Sequence, residues 1–479
     1  MKKNTFLRGA AVIAAGGFLA KLIGALYRIP LTNLIGGHGM GLYQMVYPFY
    51  CLLLTVSATG IPSSIAKMVA ERHASGVSEA PLLKSAMKLF LLIGACGTLL
   101  MAALSPLLSA AQDSPELQSG YLALAPSVFL VSGISVLRGW FQGRNNMLPT
   151  ALSEVTEQLV KVGFGLLFAY LYRADVEKAV TFILLSVSLS EAAALLLMLF
   201  LRGRVKAPFE GLKEGDRVAM KSILRLSIPV TLSAAILPLS SLLDSVIIVR
   251  LMKGYAEDAV ALYGLFSGGA TTIVNLPVSV CYGVAAASVP AVSAAGAAGD
   301  GSTRRKMLYA LLVTFAVSVP CAVGLYLFAR PAVNIVFRAL TAEESAVLVR
   351  LVRTLAVSAV TLSCTQTLSA CLTGLGKPGY AAVSMATAVA AKTALSFALV
   401  SRPEISVYGA AIATDVCYLV AFALDLLYNL SVTKKRQGEK KGDYGSRTGR
   451  EGRGPDRAGQ AGNPGCGTGR RADGPDGVI

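Results

Sequence analysis

Residues 9–30 read GAAVIAAGGFLAKLIGALYRIP. Apart from two cations the stretch is apolar, and it is long enough to cross a hydrocarbon layer, which takes about 20 residues. Met1-Lys2-Lys3 and Arg8 precede it, as in the charged start of a secretory signal. The apolar run nevertheless continues to Pro30 with Lys21 and Arg28 inside it and shows no small-residue cleavage site, so it reads as a retained first span. Eleven comparable stretches follow, at 42–64, 86–109, 119–140, 150–172, 179–201, 223–249, 261–290, 307–329, 348–373, 379–400 and 405–429. Lipid offers no partner to free backbone groups, so twelve spans of this length predict twelve helices. The alternating pattern of a membrane β-barrel is absent.

Composition agrees. The chain of 479 residues is 54% hydrophobic and only 15% charged, with mean hydropathy +0.61. One soluble domain of this composition would lack the polar surface to cover itself. The eight cysteines form no C-x-x-C pair, which argues against a disulfide scaffold or a thiolate metal site. The formal charge of +17 could suit nucleic acid, but the basic residues are not interleaved with aromatics on a soluble domain. They sit in the gaps between apolar stretches. With the N-terminus inside, inner segments hold 19 Lys and Arg and outer segments nine, so both termini are expected in the cytoplasm of a plasma-membrane protein.

The stretch 202–222 is the most basic internal loop and separates six spans from six. The two sides repeat each other. Gly143 and Gly374 follow the fourth and tenth spans, and Lys161 and Lys392 lie inside the fifth and eleventh, each pair 231 residues apart. The expected organisation is a six-helix bundle over 1–201, a basic cytoplasmic linker over 202–222, a second six-helix bundle over 223–430 and a polar tail over 431–479. From 432 onward the chain has 13 Gly and no Leu, Phe, Met or Trp, too little to bury a core, so the tail is expected to be disordered. Internal repeats with a site between the halves are a transporter pattern.

A charge at the centre of a membrane helix costs about 2.5–3.5 kcal/mol on insertion scales, so each needs a partner, a wet cavity or a function. Lys21 and Arg28 lie about two turns apart on one face of the first span, where they could line a cavity for an anionic group; Arg28 could equally snorkel to the interface. Glu154, Glu157 and Lys161 form one stripe on the fifth span. Glu157 and Lys161 could neutralise each other at i, i+4, yet a third carboxylate exceeds what that pair needs, which favours a polar stripe facing a water-filled lumen. Lys392 has no acid within four positions and needs a partner from another helix, or an anion. Asp244, Glu191, Asp415 and Asp425 are the remaining acids within spans. Arg138, ending the fourth span, reads as snorkelling to the inner interface. There is no H-E-x-x-H, P-loop or nucleophile elbow, so neither enzyme chemistry nor a cofactor is expected, and transport cannot run on the chain's own ATP hydrolysis.

Two blocks resemble a known family. Lys21-x-x-Gly24-x-x-Tyr27-Arg28-x-Pro30-Leu31 leads to Gly39-x-Gly41-Leu42-Tyr43-Gln44, then Tyr47-Pro48-x-Tyr50 and Gly60-Ile61-Pro62. The second block is Arg138-Gly139-Trp140-Phe141-Gln142-Gly143, Met147-x-Pro149-Thr150-Ala151 and Glu157-Gln158. Both are similar to the stage V sporulation protein B family of polysaccharide-biosynthesis membrane proteins, in the MATE-like superfamily. The resemblance implies two six-helix lobes opening alternately to the two membrane faces. It implies a lipid-linked glycan as substrate, a peptidoglycan precursor moved outward during sporulation. It also implies a monomer whose partners are membrane lipids and cell-wall synthesis proteins. In related lipid II flippases cavity cations meet the substrate pyrophosphate; Lys21 and Arg28 fall at the corresponding first-helix positions, while Lys161 and Lys392 are expected as further cavity cations from their places inside the fifth and eleventh spans alone. Relatives usually have Gln and Arg where this chain has Glu154 and Lys161, and commonly have fourteen spans. The twelve read here imply either two dispensable spans or a truncated variant. The competing reading is a drug or cation antiporter of the same fold, working through Glu154, Glu157 and Asp244. A membrane-embedded glycan polymerase would need catalytic groups in outer loops, which are short.

Overall fold

The computed structural model describes residues 3–58, 60–205, 216–298 and 302–451, with side chains described from Gly16 onward except at 18, 21, 58, 216–230, 297–298 and 435–451. The described residues form helices joined by turns, with no strand among them. The helices are α1 (Lys3–Ala58), α2 (Ile61–Ala74), α3 (Ala80–Ala111), α4 (Leu117–Gly143), α5 (Leu148–Leu171), α6 (Val176–Gly203) and α7 (Asp216–Met252). They continue as α8 (Ala259–Tyr263), a π-helical turn (Gly264–Ala270), α9 (Thr271–Ala298), α10 (Ser302–Leu327), α11 (Ala329–Val336), α12 (Ala342–Gly374), α13 (Pro378–Val400) and α14 (Val407–Glu451). Ten helical stretches among the described residues are long and apolar enough to cross a membrane. One of them, Leu22–Ala74, takes in the end of the first expected span and the whole length of the second. The fifth expected span is the 24-residue α5, equally helical but carrying Glu154, Glu157 and Lys161. The described residues of all twelve expected spans are thus mainly helical, as the all-α reading requires.

The first two spans are one helix interrupted at Gly36, whose backbone (φ 70°, ψ −175°) lies where side chains are not tolerated. The chain reverses there with no long loop. Glycines also mark the eighth span, where Gly264, Gly268 and Gly269 fall in the π-helical turn. The Thr271 hydroxyl caps that turn by donating to the Phe266 carbonyl at 2.9 Å, five residues back. The pseudo-repeat shows in the helix ends: α4 stops at Gly143 and α12 at Gly374, and each is followed after a short turn by a helix opened with proline, α5 and α13.

The chain divides into a unit Met1–Val432 and a unit Thr433–Ile479. In the first, one large apolar core runs through both sets of helices. It joins Leu31, Met40 and Met45 of α1 to Val260, Phe266, Leu348 and Leu351. At the opposite ends of the helices the cores are separate. Ile65, Phe90, Trp140 and Met198 pack among α2, α3, α4 and α6; Val292, Met307, Leu368 and Leu375 pack among α9, α10 and α12. The two helix sets are therefore welded at the Gly36 end and have independent cores at the Gly143 end.

Two expected boundaries meet the structure only in part. Residues 206–215 of the linker lie outside the described residues. Helix α14, expected to stop near 429, continues to Glu451 because Lys, Arg, Gln and Glu at 434–441 are good helix formers. Residues 452–479 of the tail lie outside the described residues.

Candidate functional site

Between the two helix sets lies a cavity of about 320 Å³. The first set supplies Gly24, Ala25, Tyr27, Arg28, Tyr43 and Tyr47 from α1 and Lys161 from α5; the second supplies Thr272, Asn275, Val278, Ser279 and Tyr282 from α9 and Gln366 from α12. Among the described residues the wall contains two cations and no carboxylate. Arg28 is held across the gap, Nη1 donating to Thr272 Oγ1 at 2.9 Å. Its remaining N–H groups are available to a ligand. Lys161 makes no hydrogen bond or ion pair among the described residues. Tyr43 and Tyr47, one turn apart, stack with ring centroids 5.2 Å apart and give the wall a flat aromatic face. Gln366 Oε1 is buried and finds no partner among the described residues. A buried unpaired acceptor is costly, so the site is built to receive a polar group.

The cavity is closed at the Gly36 end. Gly41 and Gly264 cross there at backbone distance: a methyl on Gly41 would overlap the Val260 carbonyl, and one on Gly264 would overlap the Gly37 carbonyl. Gln44 Nε2 donates to the Ser267 carbonyl at 2.9 Å, and Asn33 Nδ2 to the Val336 carbonyl at 2.8 Å. His38 Nδ1 lies 2.8 Å from Asp258 Oδ2. Asp258 also caps α8 by accepting from the Ala261 N–H. Burial pulls the Asp258 carboxyl upward, but the contacts with His38 and the Ala261 N–H prevail and hold it below its ordinary value.

The side chain of Lys21 lies outside the described residues. Arg28 and Lys161 are brought together in the cavity wall. Glu157 does not pair with Lys161: its carboxylate takes Arg138 Nη2 at 3.2 Å and Gln158 Nε2 at 3.2 Å, while Arg138 Nε donates to Ser153 Oγ at 2.9 Å. Arg138, expected to snorkel, is therefore the partner of Glu157, because the short turn after Gly143 brings the start of α5 beside the end of α4 and positions 19 residues apart into contact. Glu154 lies against Gly17 of α1. Lys392, expected in the cavity, instead meets Asp244 of α7 at 2.5 Å, with both residues buried at 8% exposure. The packing of α7 against α13 makes this pair, and neither residue lines the cavity wall described above. Glu191 is buried in α6 and accepts from the Tyr50 hydroxyl at 3.3 Å.

Sequence reasoning missed the polar wall from the second helix set. The signal was present as Thr272, Asn275, Ser279 and Tyr282, polar groups spaced three and four apart on one face of an otherwise apolar span.

Comparisons with known proteins agree with this fold. Stage V sporulation protein B of Bacillus subtilis (strain 168) is 28% identical over 86% of this chain and 81% of its own length. The lipid II flippase MurJ of the same organism is 22% identical over 91% of this chain and 84% of its own. Among solved structures, the inward-facing conformation of a multidrug resistance MATE family transporter of the MOP superfamily superposes with TM-score 0.75 at 16% identity. It covers 87% of this chain and 96% of that one. A family model for polysaccharide biosynthesis proteins matches residues 6–296. The chain is a multi-pass membrane protein of MATE-like fold that belongs to the polysaccharide biosynthesis protein family.

Proposed function

We propose that the protein flips a lipid-linked oligosaccharide across the plasma membrane by alternating access. The observation that carries this reading is the cavity wall: Arg28 and Lys161 from one helix set, polar groups from both, and no carboxylate among the described residues. A diphosphate that leaves water needs fixed cations to replace its hydration, and guanidinium and ammonium groups supply them. The stacked Tyr43 and Tyr47 offer an apolar face to sugar rings, while the lipid tail stays in the bilayer. The names of the relatives, a sporulation protein and a lipid II flippase, favour a peptidoglycan precursor as the glycan. The Lys and Arg asymmetry puts the Gly36 end outside and both termini in the cytoplasm. On that orientation the closed end is outward and the cavity is loaded from the cytoplasmic leaflet. The six-helix bundles 1–201 and 223–430 then rock about the Gly41–Gly264 crossing. The chain acts as a monomer.

The antiporter reading needs a carboxylate for a cation. Glu157 is held by Arg138 and Asp244 by Lys392, which weighs against it.

The test is movement of a fluorescent lipid-linked disaccharide in proteoliposomes, wild type against Arg28→Ala/Lys161→Ala. Losing charge-assisted hydrogen bonds of about 1.5–3 kcal/mol each predicts a rate at or below about one tenth of wild type. An unchanged rate in a well-folded variant would overturn the role of these cations. Uptake of a cationic dye by wild type, with no lipid movement, would establish the antiporter.

A further inference from the structure

The second helix set carries a basic cluster that the transport cavity does not use. Of the nine Lys and Arg assigned to outer segments, four are Arg330, Arg338, Arg350 and Arg353. They run against the charge bias that sets the orientation. Arg350 and Arg353 sit one turn apart on α12 and are both exposed. With Thr354, Tyr326 of α10 and Tyr408 of α14 they line a separate pocket of about 410 Å³ at the Gly36 end.

The surroundings identify the medium. Val357 continues the same face of α12 and is 58% exposed; Leu327 and Phe328 beside Tyr326 are 60% and 64% exposed. A surface this apolar faces hydrocarbon, so the arginines stand where it meets the headgroups. Neither has a carboxylate within 4 Å among the described residues. Arg353 is positioned rather than neutralised: its Nε donates to the Tyr326 carbonyl at 3.3 Å, and its guanidinium stands 5.8 Å from the Tyr326 ring. Its terminal nitrogens and the whole of the Arg350 fork remain for a ligand. Two unpaired guanidiniums at a lipid boundary are costly unless an anion joins them, and at that depth the abundant anion is a lipid phosphate. Paired forks fit phosphate oxygens in two-toothed fashion, and tyrosines at the interface present a hydroxyl beside an apolar ring.

We propose that Arg350 and Arg353, with Thr354, Tyr326 and Tyr408, bind the phosphate of a membrane lipid at the outer interface, outside the transport cavity. The site does not depend on the transport reading, since it shares no residue with the cavity wall.

The experiment is native mass spectrometry of the purified full chain titrated with phosphatidylglycerol, phosphatidylcholine, polyprenyl diphosphate or inorganic phosphate. Wild type should retain phosphatidylglycerol or polyprenyl diphosphate in preference to phosphatidylcholine; whichever is retained more tightly names the source. Arg350→Ala/Arg353→Ala should weaken that retention about tenfold or more. Arg350→Lys/Arg353→Lys keeps the charge and loses the fork, and should give an intermediate loss even where the alanine variant folds poorly. Equal retention by wild type and the lysine variant, equal retention of phosphatidylcholine, or displacement of the lipid by inorganic phosphate alone would each overturn the proposal.

Discussion

Lys392 and Asp244 are 148 positions apart in sequence, yet their charged atoms meet at 2.5 Å inside the second helix set. Two isolated charges there would each need their own cavity; one contact satisfies both. Removing one partner of a buried pair strands the other, so Lys392→Met should lower stability by about 3–5 kcal/mol. Replacing both, as in Asp244→Leu/Lys392→Met, should recover most of that loss, since a packed apolar pair avoids desolvating two ions. Thermal unfolding of the three proteins in detergent measures both effects. A Lys392→Met protein as stable as wild type would show that Asp244 has another partner. Arg28 differs in kind: one N–H holds Thr272 across the cavity and the others face open space. Its loss should therefore reach transport before it reaches stability.

At the scale of elements, α1 shows how one residue type makes a membrane hairpin. A Cβ at Gly36 would meet nothing within 4 Å, so space is not what demands glycine there. The demand is backbone conformation, at φ 70°. Gly36→Ala should cost about 1–3 kcal/mol through strain alone, read as a lowered unfolding midpoint. No change would mean that the break moves to a neighbouring residue. Two helices that start at the Gly36 end, α8 and α12, open on local caps. Asp258 accepts from Ala261 N–H at 2.8 Å, and Thr341 and Glu344 form a reciprocal capping box at the start of α12. Asp258→Ala removes a cap and a cross-lobe contact together. The cap is worth about 1 kcal/mol; the half-exposed contact to His38 adds little.

At the scale of the molecule, one shared core at the Gly36 end and two separate cores at the other define where the halves hinge and where they part. At the Gly36 end polar and backbone contacts add to the shared apolar core in closing the cavity. His38→Cys/Asp258→Cys, in a background with the eight native cysteines replaced, should be bridged across the closed end by a short bis-methanethiosulfonate cross-linker, which attaches through reducible disulfides. The locked protein should stop moving lipid, and a reductant should restore it. Transport unaffected by a fully formed cross-link would show that this end never needs to open.

The chain's local pattern settles much of this. Span length and apolarity fix twelve helices, because a backbone in lipid has nowhere else to place its hydrogen bonds. The 231-residue spacing of Gly143 with Gly374 and of Lys161 with Lys392 makes the repeat readable. So is the need of each buried charge for a partner, since the cost of an unpaired charge belongs to the residue itself. Which partner it takes is decided only in three dimensions. Glu157 lies one turn from Lys161 and still pairs with Arg138. Lys392 matches Lys161 in the repeat and leaves the cavity for Asp244. Periodicity specifies which face of a helix is polar, whereas the neighbour that face meets depends on packing between helices distant in sequence. For the same reason the sequence marks Arg28 as a cation in the membrane, and only the tertiary structure sets it beside Thr272 in a cavity with no acid among its described residues.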